Sequence, residues 1–146
     1  MTEVAFHLNV ADRRHHVCRL ARKAWRQGAR VFIAGPAAEL EALDRMLWAL
    51  EPWEFLPHCL ADAPAPVLDA SPIVLGTQAA AAPWREVLVN LGPQVPEAFA
   101  EFARVIEVVP AEEGEERERA RERWRVYQAA GHLPVPHDLG VRRSGG

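Results

Sequence analysis

The side chains best suited to binding lie in one segment near the C-terminus, residues 111–131. At roughly 100° per residue along a helix, small and aromatic residues share one face, and basic and amide residues flank it: Ala120, Trp124, Tyr127 and Gly131 on the face, and Arg117, Arg121 and Gln128 beside it. An aromatic face edged with guanidinium groups is suited to a ligand that has an apolar end and a negative charge. The alternative is a docking helix whose rings fill the core while its arginines are solvated.

Charge is distributed unevenly along the same segment. Five carboxylates lie near its start, and most of its arginines follow: Glu112, Glu113, Glu115, Glu116 and Glu118, then Arg117, Arg119, Arg121, Arg123 and Arg125. A helix dipole favours anions near the N-terminus and cations near the C-terminus. The pattern therefore predicts a helix over residues 111–131.

Catalytic and cofactor-binding motifs are not recognisable in the sequence. The first strand is followed by NVADRRHHVC, without the glycines of a dinucleotide-binding loop, and the chain lacks a P-loop and a G-x-S-x-G motif. The candidate metal ligands match no zinc motif, and the aspartates form no readable pair: His15, His16, Cys18, His58 and Cys59, and Asp12, Asp44, Asp62 and Asp69. We therefore expect a binding module that has no cofactor and is not an enzyme.

Length and composition favour one α/β domain. The chain has 146 residues, a net charge of -3 and two cysteines, and it has no apolar run long enough to span a membrane. We expect a soluble cytoplasmic protein whose only dense basic stretch is the C-terminal helix, so that wholesale coating of nucleic acid is not expected.

The elements that must position the C-terminal helix follow a strand–helix alternation. Apolar runs predict five strands, and periodic segments between them predict helices: strands at 4–10, 30–34, 73–75, 86–91 and 104–109, and helices from Asp12 to Gly28, at 36–50 and at 96–102. The pattern predicts a three-layer, Rossmann-like α/β domain with a mostly parallel sheet and a C-terminal helix. We place the domain at residues 1–131 and expect residues 132–146 to be a loosely ordered tail.

A second group of aromatic residues lies in the middle of the chain. Trp48 falls about 120° from the apolar face of its predicted helix, and Trp53 and Phe55 follow between two prolines. Large aromatic residues in a proline-broken segment are typical of an exposed surface that binds a partner. The alternative is a loop that folds back over the sheet.

Four strings together resemble one protein family. They are VAFHL, AWRQGARVFIA, LDRMLWALEPWEFLPH and ARERWRVYQAAGH, and they are similar to the chi subunit family of bacterial DNA polymerase III over nearly the full length. The resemblance implies a Rossmann-like fold without nucleotide chemistry. It also implies a non-catalytic adaptor within the clamp loader assembly, located with the replisome in the bacterial cytoplasm.

The resemblance also implies two partner sites. Arg121 and Trp124 match the basic and aromatic positions of a pocket for the acidic C-terminal tail of single-stranded DNA-binding protein, with Arg117 as a further basic position; Tyr127 and Gln128 are expected beside them. Trp48 and Phe55, with Trp53 between them, match the surface that binds the psi subunit, which tethers chi to the clamp loader. A helicase is the alternative partner of this aromatic surface.

Electrostatics predicts the direction of the bound tail. The glutamates near the helix start repel an acidic peptide, so we expect the tail to run past the C-terminal half of the helix, and we expect only indirect contact with DNA. The main alternative is a module that binds single-stranded nucleic acid directly through the basic C-terminal helix, with Trp124 stacking on bases. A nucleotide-dependent enzyme on a Rossmann-like scaffold is a third hypothesis.

Overall fold

The computed structural model describes residues 2–49 and 56–140. Seven strands and four α-helices form within these ranges: β1 Glu3–Val10, α1 Arg13–Arg26, β2 Val31–Ala34, α2 Ala37–Ala49, β3 His58–Leu60, α3 Ala65–Ala70, β4 Ile73–Gly76, β5 Val87–Asn90, β6 Arg104–Pro110, α4 Glu115–Ala129 and β7 Val135–Asp138. Short 3₁₀ helices span Ala79–Ala81 and Glu97–Glu101. None of the helices in the described ranges combines the length and the apolar character that a membrane span needs.

All strand pairs in these ranges are parallel, in the order β3-β4-β2-β5-β6-β1-β7. The side chains of alternate residues separate into two cores, as expected of a sheet that is covered on both faces. One core packs against α1 and α2, and the other packs against α4 and the 3₁₀ helices. The predicted α/β, Rossmann-like, three-layer fold is confirmed.

Local signals explain where the helices of the site begin. Asp12 caps α1, because its carboxylate accepts a hydrogen bond from the His15 amide at 3.1 Å, as the sequence predicts. Helix α4 begins later than predicted, at Glu115, after Gly114 adopts a φ of 155° that favours glycine. Glu112 and Glu113 therefore precede the helix.

Strand β7 lies where the sequence analysis expects a loosely ordered tail. Its residues pair with β1 in parallel register from Ala5–Val135 to Leu8–Asp138, and the Leu139 amide donates to the Leu8 carbonyl at 3.0 Å. Only alternate residues of an edge strand donate toward their neighbour, so the nitrogen of Pro136 faces the open side. A proline at this position leaves the β1–β7 hydrogen bonds intact.

Candidate functional site

A cavity of about 380 Å³ lies between α4 and the edge of the sheet that β1 and β7 form. It is lined by residues from four elements, β1, β6, α4 and β7: Phe6, Leu8, Val109, Arg117, Ala120, Arg121, Trp124, Arg125, Gln128 and Pro136. The unpredicted strand β7 thus contributes one wall, through Pro136.

The floor and one wall of the cavity are apolar and aromatic. The rings of Trp124 and Phe6 meet edge to face, with centroids 4.9 Å apart. Leu8 and Val109 extend this floor toward the C-terminal ends of β1 and β6. Such a surface is suited to an aromatic or aliphatic group, whose burial is favourable and for which the rings provide a shaped wall.

The rim of the cavity is basic. Arg121 is ion-paired with Glu118, and Arg117 lies 3.3 Å from Glu113 while donating to the carbonyl of residue 111. Arg125 has no ion-pair partner within the described ranges. All these arginines remain close to solvent, where intrahelical pairs are weak and exchange readily. The cavity can therefore receive an anionic group at its edge.

A buried ion pair supports α4 from beneath. Arg123 donates through Nε to Glu107 Oε1 at 2.8 Å, and Tyr127 and Asn90 donate to Glu107 Oε2 at 2.7 and 2.9 Å. Arg123 also donates to Glu116 Oε2 at 3.0 Å. Burial raises the pKa of the Glu107 carboxyl, although Arg123 and the other donors lower it in part. Because all its partners donate, the arrangement is suited to the ionised carboxylate.

Four of the five residues predicted for the tail pocket line the cavity: Arg117, Arg121, Trp124 and Gln128. Tyr127 does not, because its side chain is 0% exposed and its hydroxyl points at Glu107. Its place is in the core beneath the cavity, where its ring meets Phe6 edge to face.

The Glu107–Arg123 pair and the residues that β1, β6 and β7 contribute to the cavity were not predicted from the sequence. A signal for the pair was present, since Glu107 interrupts the apolar run RVIEVV and a carboxylate in a buried strand needs a cationic partner. The lining residues Phe6, Val109 and Pro136 come together only through the strand order, which local sequence patterns do not reveal.

Trp48 lies on a separate surface. Its side chain is 51% exposed, and its ring centroid is 4.4 Å from that of His58, whose Nε2 is 3.2 Å from Asp44. A half-exposed tryptophan held against a buried histidine agrees with the predicted exposed surface at this position. Trp53 and Phe55 lie outside the described residues.

The candidate metal ligands do not form a cluster in the described ranges, and Cys18 lies in the core. No three His, Cys, Asp or Glu side chains there are placed to hold a metal ion. Cys18 is fully buried, and burial raises the pKa of its thiol to about 11, so that the reactive thiolate is disfavoured at neutral pH.

The sequence profile described as "DNA polymerase III chi subunit, HolC" matches residues 1–134. The chain belongs to this family. It is 35% identical to the DNA polymerase III subunit chi of Pseudomonas aeruginosa over 144 residues, which cover 95% of the chain and 98% of that protein. It is also 35% identical to the Escherichia coli subunit and 30% identical to the Haemophilus influenzae subunit, with 79% and 78% of the chain covered and 78% of each relative.

Membership of the chi family makes the chain a replication accessory subunit that acts within the DNA polymerase III complex. The family resemblance deduced from the sequence is confirmed. In this chi-family chain the cavity beside α4 and the Trp48 surface are formed by different elements: α4 with β1, β6 and β7 form the cavity, and α2 with β3 form the Trp48 surface.

Proposed function

We propose that the chain is a non-catalytic adaptor of the polymerase assembly, and that the cavity beside α4 binds the acidic C-terminal tail of single-stranded DNA-binding protein. The observation that carries this proposal is the combination of an apolar, ring-lined floor with a rim of arginines. The tail implied by the family resemblance ends in Pro-Phe with a free carboxylate, so it offers one apolar ring and one negative charge in adjacent positions.

The proposed contacts follow from this geometry. The terminal phenyl ring packs against Trp124 and above Phe6, where ring contacts and apolar burial both favour it. The carboxylate binds the guanidinium of Arg121, which can donate two parallel hydrogen bonds. Gln128 offers an amide at the same rim.

The upstream acidic residues of the tail are placed along the C-terminal half of α4. Arg125 lacks an intramolecular partner in the described ranges and attracts them, whereas the carboxylates at 112–118 repel them from the helix start. Charge steering of this kind supports fast association that weakens with salt. Tyr127 holds the cavity floor in place through the core and does not contact the tail.

For the second partner we propose the Trp48 surface. Trp48 supplies a half-exposed indole ring at the end of α2, and aromatic anchors of this kind dominate many protein interfaces. The psi subunit is the proposed occupant, and through psi the chain reaches the clamp loader. Trp53 and Phe55 enter this proposal on the sequence resemblance alone.

Direct nucleic-acid binding through α4 is less well supported. Besides the buried Arg123, three of its arginines are paired with glutamates: Arg117 with Glu113, Arg119 with Glu115 and Arg121 with Glu118. A surface whose cations are paired with its own carboxylates offers little net attraction to a phosphate backbone.

The tail-binding proposal is tested with a labelled peptide that carries the C-terminal sequence of the cognate single-stranded DNA-binding protein. Fluorescence anisotropy should show saturable binding to the wild type, and Arg121→Ala should weaken it about 10- to 100-fold, since a hydrogen bond to a charged group contributes about 1.5–3 kcal/mol. Arg119→Ala is the matched control, because Arg119 is an equally exposed, glutamate-paired arginine of α4 that does not line the cavity. Equal losses in the two variants would reject the assignment.

Glu118 is expected to weaken tail binding, because its carboxylate is already ion-paired with the Arg121 guanidinium that the carboxylate of the tail would bind. Glu118→Gln should therefore tighten peptide binding about two- to fivefold, the range expected when an exposed pair of up to about 1 kcal/mol no longer competes. The same titration measures it. Glu115→Gln removes an equal charge beside Arg119, away from the cavity, and should change affinity less; a larger gain from Glu115→Gln would contradict the competition.

A further inference from the structure

Helix α1 is more basic than α4 and carries no carboxylate. Its 14 residues, RRHHVCRLARKAWR, contain six lysines and arginines and two histidines. The prediction that the C-terminal helix is the only dense basic stretch is therefore wrong. α4 contains five arginines but also four glutamates, so the larger net positive charge lies on α1, on the opposite face of the sheet.

Two of the α1 cations are tied to other parts of the molecule. Arg13 donates to the Val108 carbonyl at 3.1 Å, and Arg14 makes a two-point ion pair with Glu39 at 2.8 and 3.1 Å. Arg19 and Lys23 are exposed, and neither is in an ion pair within the described ranges. They are therefore available to an external anion.

Arg19 and Lys23 lie along the flank of α1 that faces β1 and β7. At about 100° per residue, both fall within about 60° of His16, whose Nε2 is 2.8 Å from His7 Nδ1 of β1. The two cations are about 6 Å apart along the helix axis at a rise of about 1.5 Å per residue. They form a short cationic row beside the sheet.

Imidazole rings lie opposite this row. The ring of His7 meets His16 of α1 and His137 of β7 edge to face, with centroids 5.1 and 5.5 Å apart. Burial, followed by the charges of His16, His137, Arg104 and Lys23, lowers the pKa of His7 to about 4. At neutral pH this ring is uncharged, and His137 and the nearby His15 are exposed.

Two cavities extend this surface on either side of His7, an upper one toward the C-terminal end of β1 and a lower one toward its N-terminal end. The upper one, of about 390 Å³, is lined by Asn9, His15, His16, Arg19 and Leu139 among others, and the lower one, of about 500 Å³, includes Arg104, His132 and His137. Each contains one carboxylate. Asp12 in the upper cavity is engaged as the α1 cap, and Glu3 in the lower cavity is the register partner of Arg104.

We propose that this face, made of Arg19, Lys23, Arg104 and the surrounding histidines, binds single-stranded DNA directly. The cations contact phosphates, and the exposed imidazole rings stack on bases that only a single strand leaves accessible. Charge complementarity supports a polyanion, and the flat rings between the cations favour nucleic acid over an acidic peptide. The site is separate from the tail-binding cavity and goes beyond the proposed adaptor function.

The test is fluorescence anisotropy of a labelled oligothymidine with the full chain at a series of salt concentrations. Wild type should bind at low salt, and Arg19→Ala with Lys23→Ala should weaken binding about tenfold or more. Two lost phosphate contacts should also reduce the slope of log K against log salt by about 1.4, at about 0.7 per contact for a single strand. Arg104→Ala should weaken binding about threefold, as expected for the loss of one phosphate contact at the lower cavity.

The matched control is Arg45→Ala with Arg119→Ala, which removes two exposed cations from α2 and α4. The affinity of this control variant should stay within about twofold of wild type if binding depends on where the cations lie and not on the net charge of the protein. The proposal is overturned if wild type shows no binding at low salt, or if the two double variants lose affinity equally. It is likewise overturned if polyglutamate or duplex DNA of equal charge competes as well as the single strand. Circular dichroism of the Arg19→Ala, Lys23→Ala variant should show that α1 remains folded, since both side chains are exposed.

Discussion

Replacing Arg123 with methionine is expected to lower the free energy of unfolding by about 3–5 kcal/mol, because it leaves the carboxylate of Glu107 buried without a counter-charge. Both side chains are almost fully inaccessible, and Glu107 is held by three donors, of which Arg123 carries the only positive charge. Methionine fills a similar volume, so the loss reports on charge more than on packing. Urea unfolding followed by circular dichroism measures it.

Two comparison variants make this result specific. Arg119→Met removes an exposed arginine of the same helix and should cost less than about 1 kcal/mol. Adding Glu107→Gln to Arg123→Met should recover more than half of the loss, because the glutamine is neutral and still accepts from Tyr127. If the added change gives no recovery, the uncompensated charge is not the cause of the instability.

Replacing Trp124 with alanine is expected to weaken binding of the tail peptide by about 30-fold or more, as truncation of a central tryptophan commonly costs 2 kcal/mol or above. The indole ring forms one wall of the cavity and packs edge to face on Phe6. Its removal takes away both the surface that the terminal phenyl ring contacts and the support of the floor. Isothermal titration calorimetry of the peptide with each variant measures the change.

Trp25→Ala is the control for loss of a helix-borne tryptophan. Trp25 is half-buried like Trp124, but it packs against the other core, on the α1 face of the sheet. We expect both variants to lose stability and only Trp124→Ala to lose the peptide. A comparable loss of affinity in Trp25→Ala would mean that general destabilisation, and not the cavity wall, explains the result.

Local patterns were sufficient to predict the layered fold. The run RVFIA predicts a strand that is buried on both faces, and the structure buries Val31–Ala34 throughout. Asp12 predicts the start of α1 because its side chain can cap only a helix that begins there. These signals act over a few residues, so the sequence alone contains them.

Features that depend on distant contacts were harder to predict. Pro134 and Pro136 argue against a strand near the C-terminus, yet β7 forms because an edge strand donates from alternate residues only. Likewise, a helical projection places Trp124 and Tyr127 on one face without showing that one lines a cavity and the other reaches Glu107. The depth of each ring is determined by the strand beneath α4, about 20 residues away in sequence from Tyr127.

The position of β1 in the sheet also constrains when the chain can fold. β1 is synthesised well before its neighbours β6 and β7, which come from residues 104–110 and 135–138. At a synthesis rate of about 5–20 residues per second, β1 waits on the order of ten seconds on the ribosome before either partner has been made. Contacts of such large sequence separation slow folding. β1 thus remains unpaired in the nascent chain until β6 has been made, and the sheet is completed only after β7 has been synthesised.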